Sequence, residues 1–211
     1  MTESVRTAFD RELAALDGEV VVQAARVREA LGATAEALTG GETGPAGAVL
    51  DGHGEIVAAL NRCEARAYAA LALQQPAAHD LRLLVTVIRL THELERSAAL
   101  ARHVAAFAVR PRPVPPAVAR LLGRMSQEAH QLFGAAVDAY VARDLAEAEA
   151  LDVWDDRLDE LHRQLLGELF GEPPDLATTL DVALVGRYLE RVADHAVLIG
   201  HRLRYLVSGT L

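Results

Sequence analysis

Two pairs of acidic residues in the last third of this 211-residue chain have the types and the spacing that a cation site needs. Asp155 and Asp159 are four residues apart, and so are Glu190 and Asp194. On an α-helix this spacing places both carboxylates of a pair on one face, one turn apart. Like charges so placed repel each other by about 0.2–0.5 kcal/mol unless a cation lies between them. The spacing therefore allows a metal ion as the ligand, beside the alternative of a solvated acidic face.

The four carboxylates converge on one patch if their two helices pack antiparallel. Oxygen ligands suit iron, manganese, magnesium or calcium. The alternative interpretation is a solvated acidic face in which Arg157, Arg163 and Arg191 serve as counterions. Both interpretations place the carboxylates at the surface. Glu190 and Asp194 lie opposite a predicted apolar arc of the last helix. That arc comprises Leu180, Leu184, Tyr188, Val192, Ala196, Ile199, Leu203 and Leu206.

The charge balance favours a cation and argues against nucleic acid. The net charge is -9, and the segment from Asp144 to Asp194 has fourteen Asp and Glu residues against four Arg. Binding to phosphate backbones needs clustered positive charge, which the sequence lacks, so we expect no nucleic-acid partner. The single Cys63 excludes an internal disulfide and a cysteine-based zinc site. Since no signal peptide or membrane-spanning run is recognisable, we expect a cytoplasmic protein that is not embedded in a membrane.

Apolar residues at helical spacing predict six long helices and an all-α fold. Ala and Leu are abundant, and aromatic residues are only 4%, so strand signals are nearly absent. Asp80 and Asp175 are expected to cap the helices that begin near them. The predicted helices run from Val5 to the Gly40-Gly41 pair, Pro45 to Gln75, Asp80 to Val109, Val118 to Ala142, Leu145 to Phe170, and Asp175 to Leu206.

The proline-rich segment 110–116 divides the helices into two sets of three. Prolines remove backbone donors and clash with the preceding turn, so this segment cannot be helical throughout. Long helices joined by short turns pack antiparallel. We therefore expect two tandem antiparallel three-helix bundles, at residues 1–110 and 117–211, with residues 110–116 as a hinge.

The third and sixth predicted helices are copies of each other. A shift of 95 residues aligns them with eight identical pairs over twenty-five positions, including Leu94-Glu95-Arg96 with Leu189-Glu190-Arg191. His92, in the stretch THELERSAAL, also invites an interpretation as the phosphoacceptor of a sensor kinase. Its counterpart is Arg187, however, and no glycine-rich nucleotide-binding loop follows. We therefore interpret His92 as a residue of a polar helix face.

These residues resemble two copies of the PhoU domain, the bacterial phosphate-uptake regulator. The resemblance covers nearly the whole chain. It implies a cytoplasmic repressor of the phosphate-starvation response that is not an enzyme and that acts through a sensor histidine kinase and the phosphate ABC transporter. Whether the chain is a monomer or a homodimer stays open. The motifs that carry the resemblance are Gln74-Gln75-Pro76, Asp80-Leu81-Arg82, Leu94-Glu95-Arg96, the stretch from Leu189 to Ala196, and Tyr205-Leu206.

The resemblance also implies metal clusters, which PhoU proteins bind through E(D)xxxD motifs on two helices of each repeat. In the second repeat both motifs are intact, as Asp155 with Asp159 and Glu190 with Asp194. The metal is iron, manganese, zinc or magnesium by this resemblance, and its identity stays open.

The first repeat has lost most of the ligands that the resemblance implies. Of the four positions only Glu95 keeps a carboxylate, and the nearby Glu93 and Asp51 lie on other helical faces. We therefore expect one metal patch at most, in the second repeat. The four matching positions are His53, Val57, Glu95 and Ala99.

Two other classes of protein serve as alternatives. A ferritin-like di-iron oxidase needs Glu-x-x-His pairs, but no histidine here has Glu three positions before it, and Asp159 with His162 comes nearest. A metal-free helical adaptor would bind a partner through an exposed apolar strip. Loss of the first-repeat motif would suit such a divergent protein whose partner has changed.

Overall fold

A computed structural model describes residues 2–40, 42–73, 76–110, 113–171 and 173–209, and in these residues every regular element is an α-helix. The all-α prediction is confirmed, and each predicted helix is present with its ends within three residues of the expected ones. None of these helices is long and apolar enough to cross a membrane. The helices are α1 (Thr2–Leu38), α2 (Gly44–Leu73), α3 (Ala78–Ala108), α4 (Pro116–Ala142), α5 (Leu145–Gly171) and α6 (Leu176–Ser208).

The helix ends follow local chemistry, with one exception to the sequence prediction. The Asp175 side chain accepts hydrogen bonds from the backbone N–H groups of Ala177 and Thr178, at 3.0 and 3.1 Å, so it caps α6 as expected. The predicted cap by Asp80 is wrong, because α3 begins two residues earlier. Asp80 lies buried in the first turn, where its Oδ2 is 2.9 Å from Nη1 of Arg6.

Each set of three helices packs together, and two helix pairs join the sets. The joining pairs are α1 with α4 and α3 with α6, while α2 and α5 pack only against helices of their own set. The division into two domains with a hinge at residues 110–116 stays a prediction, and residues 111 and 112 lie outside the described part.

The packing of α5 against α6 depends on two glycines of α6. A Cβ at Gly186 would lie 2.6 Å from Cδ2 of Leu165, and one at Gly200 would lie 2.9 Å from Cδ1 of Leu151. Such distances are shorter than van der Waals contact, so only glycine lets the two helices approach this closely without rearrangement. This approach positions the acidic residues of α5 beside those of α6.

The predicted apolar arc of α6 is wrong at its N-terminal end. Leu180 and Leu184 are 56% and 49% exposed, whereas Val185, Leu189 and Val192 are buried. Because α6 packs against α3, α4 and α5, its buried face is wider than one stripe and is rotated from the predicted arc near its N-terminus.

Candidate metal centre

The four predicted ligands lie on α5 and α6, which pack against each other. Asp155 and Glu190 are partly buried, and Asp159 and Asp194 are exposed. Burial raises the pKa of Asp155 to about 6, and the negative charges of the other three act in the same direction. Asp156, next in the chain, adds to this effect. We call these four residues, Asp155, Asp159, Glu190 and Asp194, the carboxylate patch.

Glu190 has two basic neighbours beside the patch. Its Oε2 is 2.9 Å from Nδ1 of His162, and its Oε1 is 2.5 Å from Nη1 of Arg187. Neither was among the predicted counterions. Arg163, which was, lies 2.5 Å from Oε2 of Glu160 instead. The signal for Arg187 was available in the sequence, because Arg three residues before Glu is a helical ion-pair spacing.

A cation would suit the innermost oxygen of the patch. Oδ1 of Asp155 is buried and accepts no hydrogen bond from any described residue. A buried, unpartnered carboxylate oxygen is costly, and coordination of a positive ion would offset that cost. Among the described residues, however, no three His, Cys, Asp or Glu side chains are grouped closely enough to hold a metal ion. The residues suit a cation by their charge, and the metal site itself stays a prediction.

The matching region of the first repeat contains mostly basic side chains in place of carboxylates. Burial lowers the pKa of His53, as do the positive charges of Arg102 and His103, while Glu95 opposes them. The histidine is therefore neutral at pH 7, in a region where basic groups outnumber carboxylates. We call His53, Glu95, Arg102 and His103 the histidine patch.

Two neighbouring residues of α3 have structural partners. Glu93 is buried, with Oε2 2.9 Å from Nδ1 of His195 and Oε1 accepting a hydrogen bond from Nη2 of Arg202 at 3.1 Å. It thus binds α3 to α6 and is no substitute ligand for the first repeat. His92 is on the polar face as predicted, with Nε2 3.1 Å from Oε1 of Glu64.

Known proteins are similar in sequence to this chain over nearly its whole length. The PhoU domain matches residues 21–108 and 122–203. The "Phosphate-specific transport system accessory protein PhoU homolog 1" of Mycobacterium tuberculosis is 34% identical over 212 residues, which cover 98% of this chain and 96% of that protein. The chain belongs to the PhoU family.

Other PhoU proteins extend the similarity to the fold. PhoU homolog 2 of M. tuberculosis is 31% identical over 210 residues, covering 97% of this chain and 99% of that protein. The crystal structure of PhoU from Pseudomonas aeruginosa has a TM-score of 0.86 at 25% identity, covering 96% of this chain and 100% of that one. The resemblance seen in the sequence is confirmed, although Gln74 and Gln75 of its motifs lie outside the described residues.

Proposed function

We propose that this PhoU-family chain is a cytoplasmic, non-enzymatic regulator of phosphate uptake and phosphate-starvation signalling. It acts by contacts with components of the phosphate ABC transporter and with a sensor histidine kinase. The observation that carries the proposal is the match over nearly the whole chain to proteins named as accessory proteins of phosphate-specific transport.

An exposed apolar strip on α6 supports a role in protein contacts. Leu176, Leu180 and Leu184 are 74%, 56% and 49% exposed, and their spacing of four residues places them along one side of the helix. Large apolar side chains grouped on a surface are typical of protein interaction sites. We call these three residues the leucine strip.

The carboxylate patch supports a bound cation as part of the regulator. Asp155, Asp159, Glu190 and Asp194 would hold the ion, which when bound would supply the positive charge that offsets their mutual repulsion. His162 and Arg187 keep the Glu190 side chain in place at the edge of the patch.

Capture of partners from phosphate-replete cells tests the proposal. We expect the tagged wild-type chain to retain transporter and sensor components, and Leu180→Glu to retain less of them. Val141→Glu is the matched control, because Val141 on α4 is also 56% exposed and lies away from the leucine strip in the sequence. If the wild-type chain captures neither transporter nor sensor components, the proposed function is wrong.

A metal-free adaptor is the second candidate, and the contacts of Glu190 favour it. Oε1 of Glu190 already pairs with the guanidinium of Arg187, and His162 lies beside Oε2, so this carboxylate is partly neutralised without a metal ion. Elemental analysis of the purified chain separates the candidates: bound iron, manganese, zinc or magnesium at a fixed ratio supports the metal-bound regulator, and its absence after loading supports the adaptor.

A further inference from the structure

A cavity of about 290 Å³ opens between α1 and α2, with one wall from α3. It lies in the first repeat, away from the carboxylate patch on α5 and α6. The residues that line it are Arg26, Glu29, Ala30, Ala33, Pro45, Ala48, Val49, Gly52, His53, Glu55, Ile56 and Ala98.

The cavity is open because the residues around it are small. Gly52 is partly buried within α2, yet a Cβ at this position would meet no atom within 4 Å. Alanines from all three helices form much of the remaining wall. Glycine destabilises a helix interior relative to alanine. The helix is therefore less stable with Gly52 than it would be with alanine, and the space beside this residue stays open.

The wall of the cavity is mostly apolar, and its charged residues, one Arg and two Glu, are exposed at the rim. Arg26 and Glu55 approach each other to 3.5 Å at the rim, where Glu29 also lies. His53 is the polar group of the wall that carries no charge at pH 7, since burial and neighbouring positive charges keep its imidazole neutral. A neutral imidazole offers one hydrogen-bond donor and one acceptor.

These features define the kind of molecule that fits. The volume is at the lower end of the range of about 300–1,000 Å³ for small-molecule sites, which suits a single ring system and is too small for a dinucleotide. A charged ligand would lose hydration against the apolar wall, because the charged residues Arg26, Glu29 and Glu55 are exposed at its rim. We propose that this cavity binds a small, mostly apolar, uncharged molecule with a polar group that hydrogen-bonds to His53.

Titration of the metal-free full chain with indole, followed by amide NMR shifts, tests the site. Indole is apolar and uncharged and carries one N–H donor. We expect saturable shifts in α1 and α2, with binding at least about fivefold weaker for indole-3-acetate and tryptamine, which add a charge to the same ring. His53→Ala should weaken indole binding about fivefold, the effect of one lost hydrogen bond.

Two phenylalanine variants of α2 provide the matched control. Gly52→Phe fills the cavity and should weaken indole binding at least about tenfold, because the ring takes the volume that the ligand needs. Gly54→Phe adds the same side chain at an exposed position that does not line the cavity, and should bind as the wild type does. If Gly52→Phe fails to fold, Ala33→Leu narrows the cavity from the opposite wall and replaces it.

Three results would overturn the proposal. The first is the absence of saturable shifts with indole up to millimolar concentration. The second is equal affinity in Gly52→Phe and Gly54→Phe, which would place binding elsewhere. The third is a preference for either charged analogue, which would contradict the ligand class. None of these measurements involves a transporter or a sensor, so their failure is distinct from failure of the proposed regulatory function.

Discussion

The carboxylate patch and the histidine patch occupy matching positions of a repeated fold, and their charges differ: the first has four carboxylates, whereas the second has one carboxylate, one guanidinium and two imidazoles. In the second repeat burial raises the pKa of Asp155 to about 6, and the surrounding carboxylates add to the effect. In the first repeat burial lowers the pKa of His53, and the positive charges of Arg102 and His103 add to the effect. The two copies preserve the helices, while the chemistry of the α2–α3 and α5–α6 surfaces diverges.

The residues that the copies share explain why this divergence leaves the fold intact. Leu94 and Leu189 are both 1% exposed, and Val87 and Val182 are fully buried. These side chains determine how α3 and α6 pack, whereas partly exposed positions contribute little to packing. Function can therefore change at the surface of one copy without loss of its helical frame.

The largest expected effect is on metal content, and it separates the two patches directly. Asp194→Ala should abolish bound metal or weaken its binding by more than about tenfold, because it removes a ligand of the carboxylate patch. Glu95→Ala, in the histidine patch, should change metal content little. Elemental analysis of both purified variants measures the difference. Equal losses from both would contradict a single metal site in the second repeat.

The next largest effect concerns the buried ion pair between the repeats. Glu93→Ala should lower the free energy of unfolding by about 3 kcal/mol, because Arg202 and His195 lose the carboxylate that pairs with them. Glu95→Ala, two residues away and partly exposed, should cost less than about 0.5 kcal/mol. Urea unfolding at pH 7 measures both. Similar losses in the two variants would mean that the contacts of Glu93 with Arg202 and His195 contribute no specific stability.

The same pair predicts acid sensitivity. Burial alone would raise the pKa of Glu93, but the hydrogen bonds from His195 and Arg202 outweigh it and the pKa is lowered. The stabilisation is therefore fully present above the ordinary value of 4.5 and is lost as the pH falls through the lower folded value. The gap in stability between the wild type and Glu93→Ala should narrow between pH 5 and pH 3.

Helix positions and family could be predicted from sequence because both depend on local signals. Prolines and glycines predict where the helices end, and apolar residues at helical spacing predict the segments between those ends. The arc of α6 was wrong at Leu180 and Leu184 because three neighbouring helices, and not one stripe, determine which face is buried. The cap by Asp80 was wrong because a shift of two residues moved it inside the first turn.

The contacts of the site were harder to predict than its residues. Spacing predicted that the carboxylates share a patch, and Asp159, Glu190 and Asp194 lie near enough to Asp155 for their charges to raise its pKa. His162 lies on α5 and meets Glu190 on α6, and Glu93 meets His195 over 102 residues of chain. No local pattern specifies such pairs, because they depend on how the helices rotate against each other.

A smaller effect distinguishes the innermost carboxylate of the second repeat. In metal-free protein, Asp155→Asn should raise the free energy of unfolding at pH 7 by about 1 kcal/mol, allowing for solvent screening of a partly exposed group. The wild-type stabilisation by the protonated carboxyl is fully present below 3.8, the unfolded pKa, and is lost as the pH rises through about 6. The gain in Asp155→Asn should therefore disappear at pH 3.5. Glu149→Gln, also exposed on α5 and not among the residues that raise the pKa of Asp155, is the control in urea unfolding with a chelator.

The smallest expected effect on stability concerns His53, and its pH dependence has the opposite sign to that of Asp155. Because its folded pKa is below the ordinary value of 6.5, the stabilisation by neutral His53 is fully present above pH 6.5 and decreases as the pH falls through the folded value. Urea unfolding of wild type and His53→Gln at pH 5 and pH 7.5 should reveal a difference of about 0.5 kcal/mol or less. A wild-type loss at low pH that His53→Gln lacks would show that the two patches titrate in opposite directions. If His53→Gln loses as much stability as the wild type does, the acid sensitivity comes from other groups and the contrast between the patches rests on metal binding alone.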